Sequence, residues 1–256
     1  MYQKVLKLYK PIGRTPLDMI RLLRQHITKY EKSTLGYAGR LDPMAEGLLL
    51  VLVDDENKKR KLYERLEKEY EFEILFGITT DTYDPLGIIT SFQRISSNIE
   101  QMFLQYTPLI KGKHSQPYPP YSSARVKGKP LFYWARENKL DDITIPIKTV
   151  EILRFDIIDF RSHPFRILYQ SIIKKIGSID GDFRQQKILP VWEKIYQKHS
   201  QDDCFIATCR ITCSSGTYIR SLAHQIGKTL GTGAIALSIK RTRIGDFKVH
   251  DSLKFT

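Results

Sequence analysis

An apolar run at residues 48–53, directly preceded by a turn-forming segment, most strongly constrains the fold of this chain. The segment at residues 36–47 has the sequence Gly-Tyr-Ala-Gly-Arg-Leu-Asp-Pro-Met-Ala-Glu-Gly. Glycine admits positive φ and proline restricts its own φ, so this composition predicts a turn with a fixed backbone. A short apolar run next to turn residues predicts a buried strand. Asp42, which lies in the turn, is therefore expected at the floor of a cleft and is the first candidate for chemistry.

Residues 15–27 are predicted to form a helix of roughly three to four turns. Thr15 is a suitable N-cap, Pro16 a favourable first helical residue, and Asp18 lies three residues after the cap. The apolar residues at helical spacing are Leu17, Ile20, Leu23 and Ile27. They predict one apolar face along the helix.

A strand is predicted at residues 69–76, where apolar and charged residues alternate. Its apolar face begins with Tyr70 and continues with Phe72, Ile74 and Phe76. The densely charged residues 58–69 before it predict a solvated helix that leads into the strand.

Neither the three cysteines nor the pair Asp81 and Asp84 forms a recognisable metal motif. Cys204, Cys209 and Cys213 lack the paired Cys-x-x-Cys spacing of structural zinc sites, and their odd number argues against a disulfide scaffold. Because Cys209 and Cys213 share one face of a predicted strand, buried thiols are favoured. Asp81 and Asp84 lie in a predicted loop that lacks the ligand periodicity of a calcium site. We therefore predict no metal and no cofactor.

Arg220 is predicted to lie in the first turn of a helix that follows a strand and a turn at Gly216. Apolar residues recur at helical spacing from Ile219 to Leu230. The helix dipole disfavours a cation at this end. Two interpretations stay open: Arg220 pairs with a buried carboxylate, or it is an exposed arginine.

The chain is strongly basic, and this favours a polyanionic partner. Its 256 residues include 41 Lys and Arg against 28 Asp and Glu, a formal net charge of +13. Neutralising phosphates releases condensed counterions, so such an excess suits nucleic acid, although an ordinary basic surface is the alternative. No apolar run is long enough to span a bilayer and no signal peptide is recognisable, so we expect a cytoplasmic protein.

Residues 111–129 interleave cations with tyrosines and prolines. Cations bind phosphates and aromatic rings stack on bases, so this mixture is typical of segments that hold single-stranded or looped RNA. A proline-stiffened surface loop with no ligand is the alternative.

Taken together, six segments resemble the TruB family of tRNA pseudouridine-55 synthases. They occur in the family's order and extend over residues from about 4 to 155 and from about 205 to 247. The matching strings are Lys10-Pro11 with Gly13, Gly39-x-Leu41-Asp42-Pro43-x-Ala45-x-Gly47, Lys68-x-Tyr70, Gly77-x-x-Thr80-Asp81-Thr82-x-Asp84-x-x-Gly87, Pro120-Tyr121-Ser122-x-x-Arg125 and Ser215-Gly216-Thr217-Tyr218-Ile219-Arg220. The resemblance implies an α+β fold with a mixed, largely antiparallel central sheet flanked by helices, and an active cleft across its middle.

By matching position, the resemblance implies that Asp42 is the catalytic aspartate, Tyr70 the tyrosine that packs on the target base, and Arg220 the partner of the aspartate. The implied reaction is isomerisation of a flipped-out T-loop uridine to pseudouridine, without a cofactor. The residues we predict to bind RNA are Lys10, Tyr37, Arg40, Lys58, Tyr121, Arg125, Lys127, Tyr218, Lys240 and Arg241. Tyr37 stands where the family usually has a histidine, and it can still stack in the gap left by a flipped base.

Two features concern the organisation of the chain, which we expect to be one catalytic domain over residues 1–256. Residues 163–203 have no counterpart in compact family members, and the spacing in residues 189–196 predicts a short amphipathic helix there. This insertion either extends the RNA surface or elaborates the structure. The sequence after Phe247 is too short for the RNA-binding PUA domain, so none is expected here.

Three functions stay open from the sequence. The first is a tRNA pseudouridine-55 synthase, with tRNA as partner and no obligate protein partner. The second is an RNA chaperone that folds tRNA without catalysis, which a carboxylate facing anionic RNA disfavours. The third is a pseudouridine synthase that acts on another RNA loop.

Overall fold

The structure, a computed structural model, describes residues 3–255. Its strands are β1 (Val5–Lys10), β2 (Leu35–Ala38), β3 (Ala45–Val53), β4 (Lys68–Phe76), β5 (Ile78–Thr80), β6 (Ile89–Phe92), β7 (Gly112–Pro117), β8 (Arg125–Val126), β9 (Lys129–Pro130), β10 (Ile147–Pro164), β11 (Asp203–Cys213), β12 (Ala234–Ile244) and β13 (Phe247–Lys248). Its α-helices are α1 (Pro16–His26), α2 (Arg60–Arg65), α3 (Ile99–Tyr106), α4 (Leu131–Arg136), α5 (Phe165–Gly177), α6 (Gln185–His199) and α7 (Ile219–Thr229).

One large sheet organises the part of the chain from residue 3 to 255. It has nine strands in the order β1-β3-β12-β4-β11-β10-β7, with β2 joined to β3 and β13 joined to β12. The pair β3–β12 is parallel and the other pairs are antiparallel. The expected α+β fold with a mixed, largely antiparallel sheet is therefore confirmed.

Helices cover both faces of this sheet. On one face, α3 and α7 pack on the alternating apolar side chains of β4, among them Phe72 and Phe76. On the opposite face, α5 and α6 pack around Trp192 against Leu75 and Ile206. A third apolar cluster lies between α1 and the strands β1 and β3. The alternation predicted for residues 69–76 is confirmed, because the apolar side chains from Tyr70 to Phe76 lie in the core whereas the intervening glutamates are only partly buried.

The predicted helix α1 is present, but its buried face differs from the prediction. Thr15 and Asp18 form the expected capping box, with Pro16 at the helix start. Leu17 is 49% exposed, and Met19 lies in the core instead. The prediction for Leu17 was wrong because the buried stripe begins at Pro16 and continues through Met19.

The charged stretch before β4 folds differently from the long solvated helix that we predicted. A 3₁₀ helix, Asp54–Lys59, is followed by the short helix α2. The Lys68 ammonium then donates to the carbonyls of Glu64 and Leu66, both at 2.5 Å. A cation at the carbonyl end of a helix satisfies its unpaired acceptors, so this contact ends α2 and starts β4.

The extra residues 163–203 form a helical hairpin, α5 and α6, between the long strands β10 and β11. The amphipathic helix predicted at residues 189–196 is part of α6. Trp192 is fully buried, and its indole N–H donates to the Gly87 carbonyl at 3.2 Å. This hairpin is therefore packed into the body of the fold.

Close approach of two strands fixes the turn that carries Asp42. Gly47 has φ +109°, and a Cβ there would lie 2.3 Å from the Arg241 carbonyl oxygen. A side chain at this position would separate β3 from β12, so glycine is required. The turn is closed by a hydrogen bond from the Ala45 N–H to the Asp42 carbonyl at 3.0 Å.

Candidate active site

An ion pair joins the two residues that lie furthest apart in the predicted catalytic set. Arg220 Nε donates to Asp42 Oδ2 at 2.8 Å. The Arg220 side chain is 3% exposed, whereas the Asp42 side chain is 36% exposed. A buried cation therefore binds one oxygen of the Asp42 carboxylate, while the carboxylate is partly exposed in the cleft.

Backbone carbonyls complete the surroundings of Arg220. Its Nη1 donates to the Thr82 carbonyl at 2.7 Å, and its Nη2 donates to the Tyr121 carbonyl at 3.2 Å. These acceptors explain a cation in the first turn of α7, because they outweigh the unfavourable helix dipole. Of the two interpretations left open by the sequence, pairing with a carboxylate is confirmed.

Asp84 is a second carboxylate at Arg220. Sequence reasoning considered it as a possible metal ligand and as part of a matching string, but gave it no place beside Arg220. Its Oδ2 lies 3.7 Å from Arg220 Nε, and its Oδ1 accepts from Thr82 Oγ1 at 2.7 Å and from the Leu86 N–H at 3.0 Å. Burial raises the pKa of Asp84 to about 6, although Arg220 acts in the opposite direction. The available signal was the Asp-Pro step at Asp84 and Pro85 in a loop.

Tyr70 lies on β4 at the wall of the cleft and is largely buried. Burial raises the pKa of its phenol, so the hydroxyl is neutral at ordinary pH. The ring and hydroxyl thus combine a flat apolar surface with a proton that can be donated.

Arg241 is buried, and its predicted contact with RNA stays a prediction. Its side chain donates to the carbonyls of Leu48 at 2.8 Å, Arg40 at 3.1 Å and Gly39 at 3.1 Å. With 1% exposure it lies beneath the turn that carries Asp42. Its observed contacts therefore hold this turn, and the residue also borders the larger cavity.

Lys10 is also buried, at 0% exposure, which corrects its predicted place on an RNA-binding surface. Its ammonium donates to the Pro11 carbonyl at 2.9 Å. Burial lowers the pKa of Lys10 to about 7, although the charge of Asp42 acts in the opposite direction. The positive charge that Lys10 contributes near neutral pH is therefore partial.

Tyr218 lines the cleft beside Arg220 and is fixed by a residue that sequence reasoning missed. The Gln116 side chain accepts from the Tyr218 N–H at 2.8 Å and donates to the Tyr218 carbonyl at 3.1 Å. Burial raises the pKa of Tyr218 to about 12. No local pattern marks Gln116, because its partner lies far away in the sequence.

Two cavities have Asp42 in their walls. The larger has a volume of about 710 Å³ and includes Tyr70, Tyr218 and Ile239 in its walls. The smaller, about 320 Å³, includes Asp84, Arg220 and residues of the α5–α6 loop in its walls. The larger cavity is wide enough for a nucleotide, and its apolar and aromatic walls suit a base.

The remaining predicted RNA-binding residues fall into two groups. The first group lines the larger cavity and comprises Tyr37, Arg40, Tyr121 and Tyr218. The second group is outside its walls and comprises Lys58, Arg125, Lys127 and Lys240. Lys58 is exposed and paired with Asp55 at 2.7 Å. Sequence reasoning missed further cations in the walls, which are Lys61, Arg65, Lys68 and Lys148.

Residues 3–255 contain neither a metal-binding cluster nor a helix suited to crossing a membrane. No group of three or more His, Cys, Asp or Glu residues is arranged to hold a metal ion in this part of the chain. The three cysteines are buried, as predicted, and burial raises the pKa of Cys213 to about 11. Across the same residues, none of the helices combines the length and the apolar character needed to cross a bilayer.

Solved structures share the fold of this chain. Among solved structures, a Cbf5-Nop10-Gar1 complex aligns with a TM-score of 0.58 at 19% identity and covers 98% of this chain and 52% of that chain. A structure of an H/ACA RNP bound to a substrate RNA containing 2′-deoxyuridine aligns with a TM-score of 0.54 at 19% identity and covers 98% and 50%. At 19% sequence identity, these alignments show a shared fold.

The sequence comparisons then give the particular family. Residues 25–174 match the TruB family pseudouridylate synthase (N terminal domain). A protein named tRNA pseudouridine synthase B from Acaryochloris marina is 30% identical over 250 residues, covering 98% of this chain and 71% of the relative. Its namesake from Clostridium tetani is 28% identical over 252 residues, covering 97% and 70%. The chain belongs to the TruB family, and its members are isomerases.

Proposed function

We propose that this protein is a tRNA pseudouridine synthase that converts uridine 55 of the T-loop to pseudouridine, with Asp42 as the catalytic carboxylate. One observation carries the proposal: the Asp42 carboxylate faces the cleft, and among the described residues its ion-pair partner is the buried cation Arg220. The names of the relatives, tRNA pseudouridine synthase B, support tRNA as the substrate class.

The reaction conserves all atoms, so the side chains must supply geometry and proton transfer. The N1–C1′ glycosidic bond of uridine breaks, the uracil turns while bound, and a C5–C1′ bond forms. The proton lost from C5 is balanced by the proton gained at N1. No electron donor or external group enters this scheme.

Asp42 acts at the step in which the glycosidic bond breaks, either as nucleophile or by assisting departure of the base. Arg220 orients the carboxylate by a charge-assisted hydrogen bond of 2.8 Å. The other two Arg220 nitrogens are fixed by carbonyls, so the pair is preorganised before the substrate arrives.

Tyr70 packs on the uracil ring while it is detached, and its phenol takes part in the late proton transfer. The target base must leave the stacked loop to reach Asp42, at a cost of a few kcal/mol. Tyr37 and Arg40 lie in the wall of the larger cavity, with Tyr37 Oη 3.3 Å from Arg40 Nη2. They fill or stabilise the place that the base leaves.

The proposal is tested with purified protein and an unmodified tRNA transcript. We expect one pseudouridine at position 55, formed without added nucleotide, and no product when uridine 55 is replaced by cytidine. A transcript that binds and refolds but gains no pseudouridine would support the chaperone alternative. Product at another RNA loop, found by mapping pseudouridine across total RNA with and without the protein, would support the third function.

A further inference from the structure

The loop between α5 and α6, residues 178–184, reaches the cavity that contains Asp42. Asp182, Phe183 and Arg184 line the smaller cavity together with Asp42 and Arg220. The loop also contacts other parts of the fold: Arg14 Nη1 lies 2.7 Å from Asp180 Oδ2, and Arg136 Nη2 donates to the Asp182 carbonyl at 2.7 Å. The inserted hairpin therefore supplies part of the wall beside the catalytic pair.

Arg184 makes the most specific contacts of this loop. Its Nη1 and Nη2 donate to the two carboxylate oxygens of Asp81 at 2.7 and 3.1 Å. Its guanidinium carbon lies 4.1 Å from the centre of the Tyr121 ring. The Arg184 side chain is 15% exposed. A two-point, stacked and largely buried arginine contact is much stronger and more directional than an exposed ion pair.

The two partners of Arg184 belong to the two segments that hold Arg220. Asp81 directly precedes Thr82, whose carbonyl accepts from Arg220 Nη1. Tyr121 itself presents the carbonyl that accepts from Arg220 Nη2. Arg184 thus connects the two separate segments whose carbonyls fix Arg220.

We propose that Arg184 is a positioning residue for the Arg220–Asp42 pair, supplied by the inserted hairpin. The proposal deepens the function above and rests on it. Arg184 acts through Asp81 and Tyr121: it keeps the two carbonyls at their present separation, and they keep Arg220 aligned on Asp42. Without it the segments move independently, and the carboxylate loses the orientation that the bond-breaking step needs.

This role predicts an effect on turnover more than on RNA binding. For Arg184→Ala we expect kcat to fall about 10- to 100-fold, since small misplacements of reacting groups have effects of this size. KM is expected to change less than about threefold, since Arg184 lies outside the walls of the larger cavity and the cations there are untouched. Arg184→Lys keeps the charge but loses the two-point contact and the planar stack, so its kcat is expected between those of wild type and Arg184→Ala.

The matched control is Arg166→Ala. Arg166 is an exposed arginine on the same hairpin, hydrogen-bonded to Gln201 Oε1 at 2.8 Å, and it lies outside the walls of both cavities. Arg166→Ala removes the same charge from the same hairpin but leaves the contacts of Arg184 intact. The kcat of this variant is therefore expected to stay within about twofold of wild type. If Arg184→Ala fails to fold, Asp81→Asn gives the same test from the other side of the contact.

The experiment is steady-state kinetics with a tRNA transcript for wild type, Arg184→Ala, Arg184→Lys, Asp81→Asn, Arg166→Ala and the double variant of Arg184 and Asp81. The double variant is expected to be no worse than the poorer single variant, because both changes break one contact. A wild-type kcat in Arg184→Ala, an effect confined to KM, or an equal loss in Arg166→Ala would overturn the positioning role. Wild-type protein without any product would instead overturn the proposed function itself.

Discussion

Replacing the buried carboxylate Asp84 by its neutral amide is expected to increase stability and decrease activity. Burial raises the pKa of Asp84 from its usual 3.8 to about 6. Each tenfold change in proton affinity corresponds to about 1.4 kcal/mol, so ionised Asp84 lowers the free energy of unfolding by about 3 kcal/mol above that pKa. In Asp84→Asn the amide oxygen can still accept from Thr82 Oγ1 and the Leu86 N–H, while the ionisation is removed.

The sign of this effect depends on pH. Below pH 3.8 the carboxyl is protonated in both the folded and the unfolded protein, so it has no pH-dependent effect on stability. Between pH 3.8 and about 6 the folded protein binds more protons, so the stability contributed by Asp84 falls as the pH rises. The gain from Asp84→Asn is therefore expected near zero at pH 4 and near its full value of about 3 kcal/mol at pH 8.

Urea unfolding of wild type and Asp84→Asn at several pH values measures this difference directly. Pseudouridine formation by the same samples is expected to fall in the variant, because Arg220 loses one of the two carboxylates that fix its direction. An Asp84→Asn protein that is less stable at pH 8, or whose stability difference is the same at pH 4 and pH 8, would refute the reasoning.

Three further predictions concern the frame of the site and its RNA contacts. Trp192→Phe removes the indole donor from the Gly87 carbonyl and should lower the free energy of unfolding by about 1–3 kcal/mol in urea titrations. Arg241→Met removes the donor from one buried and two partly buried carbonyls and should lower the free energy of unfolding by about 3 kcal/mol in the same assay; a change below about 1 kcal/mol would contradict its role in holding the turn. Arg40→Ala should weaken tRNA binding and lower the slope of log affinity against log salt by about 1, whereas Arg94→Ala, an exposed arginine outside the larger cavity, should leave that slope unchanged.

Features with a local cause could be predicted from the sequence. The capping box of α1 and the alternation along β4 depend on neighbours a few residues away, so their signals are present in short windows. Asp42 could be found for the same reason, because a glycine- and proline-containing turn precedes a buried strand. Arg220 was recognisable because a cation in the first turn of a helix conflicts with the helix dipole and needs a partner.

Features that depend on distant partners could not be predicted in this way. Lys10 and Arg241 are of residue types usually found at the surface, yet both are buried by the tertiary fold. Arg241 donates to carbonyls of segments that are distant in the sequence. Arg184 and Asp81 are also distant in sequence, and neither belongs to a pattern that indicates the other. The predicted RNA-binding role of Lys58, Arg125, Lys127 and Lys240 remains a prediction that binding measurements can check.

The most direct test of the account compares Asp42→Asn with Asp55→Asn in pseudouridine formation on a T-loop tRNA transcript. Asp55 is an exposed carboxylate paired with Lys58, so its amide variant controls for the loss of one negative charge. We predict that Asp42→Asn loses at least about 10³-fold in turnover while it still binds tRNA, and that Asp55→Asn behaves as wild type. Full activity of Asp42→Asn would contradict the assignment of Asp42 as the catalytic carboxylate.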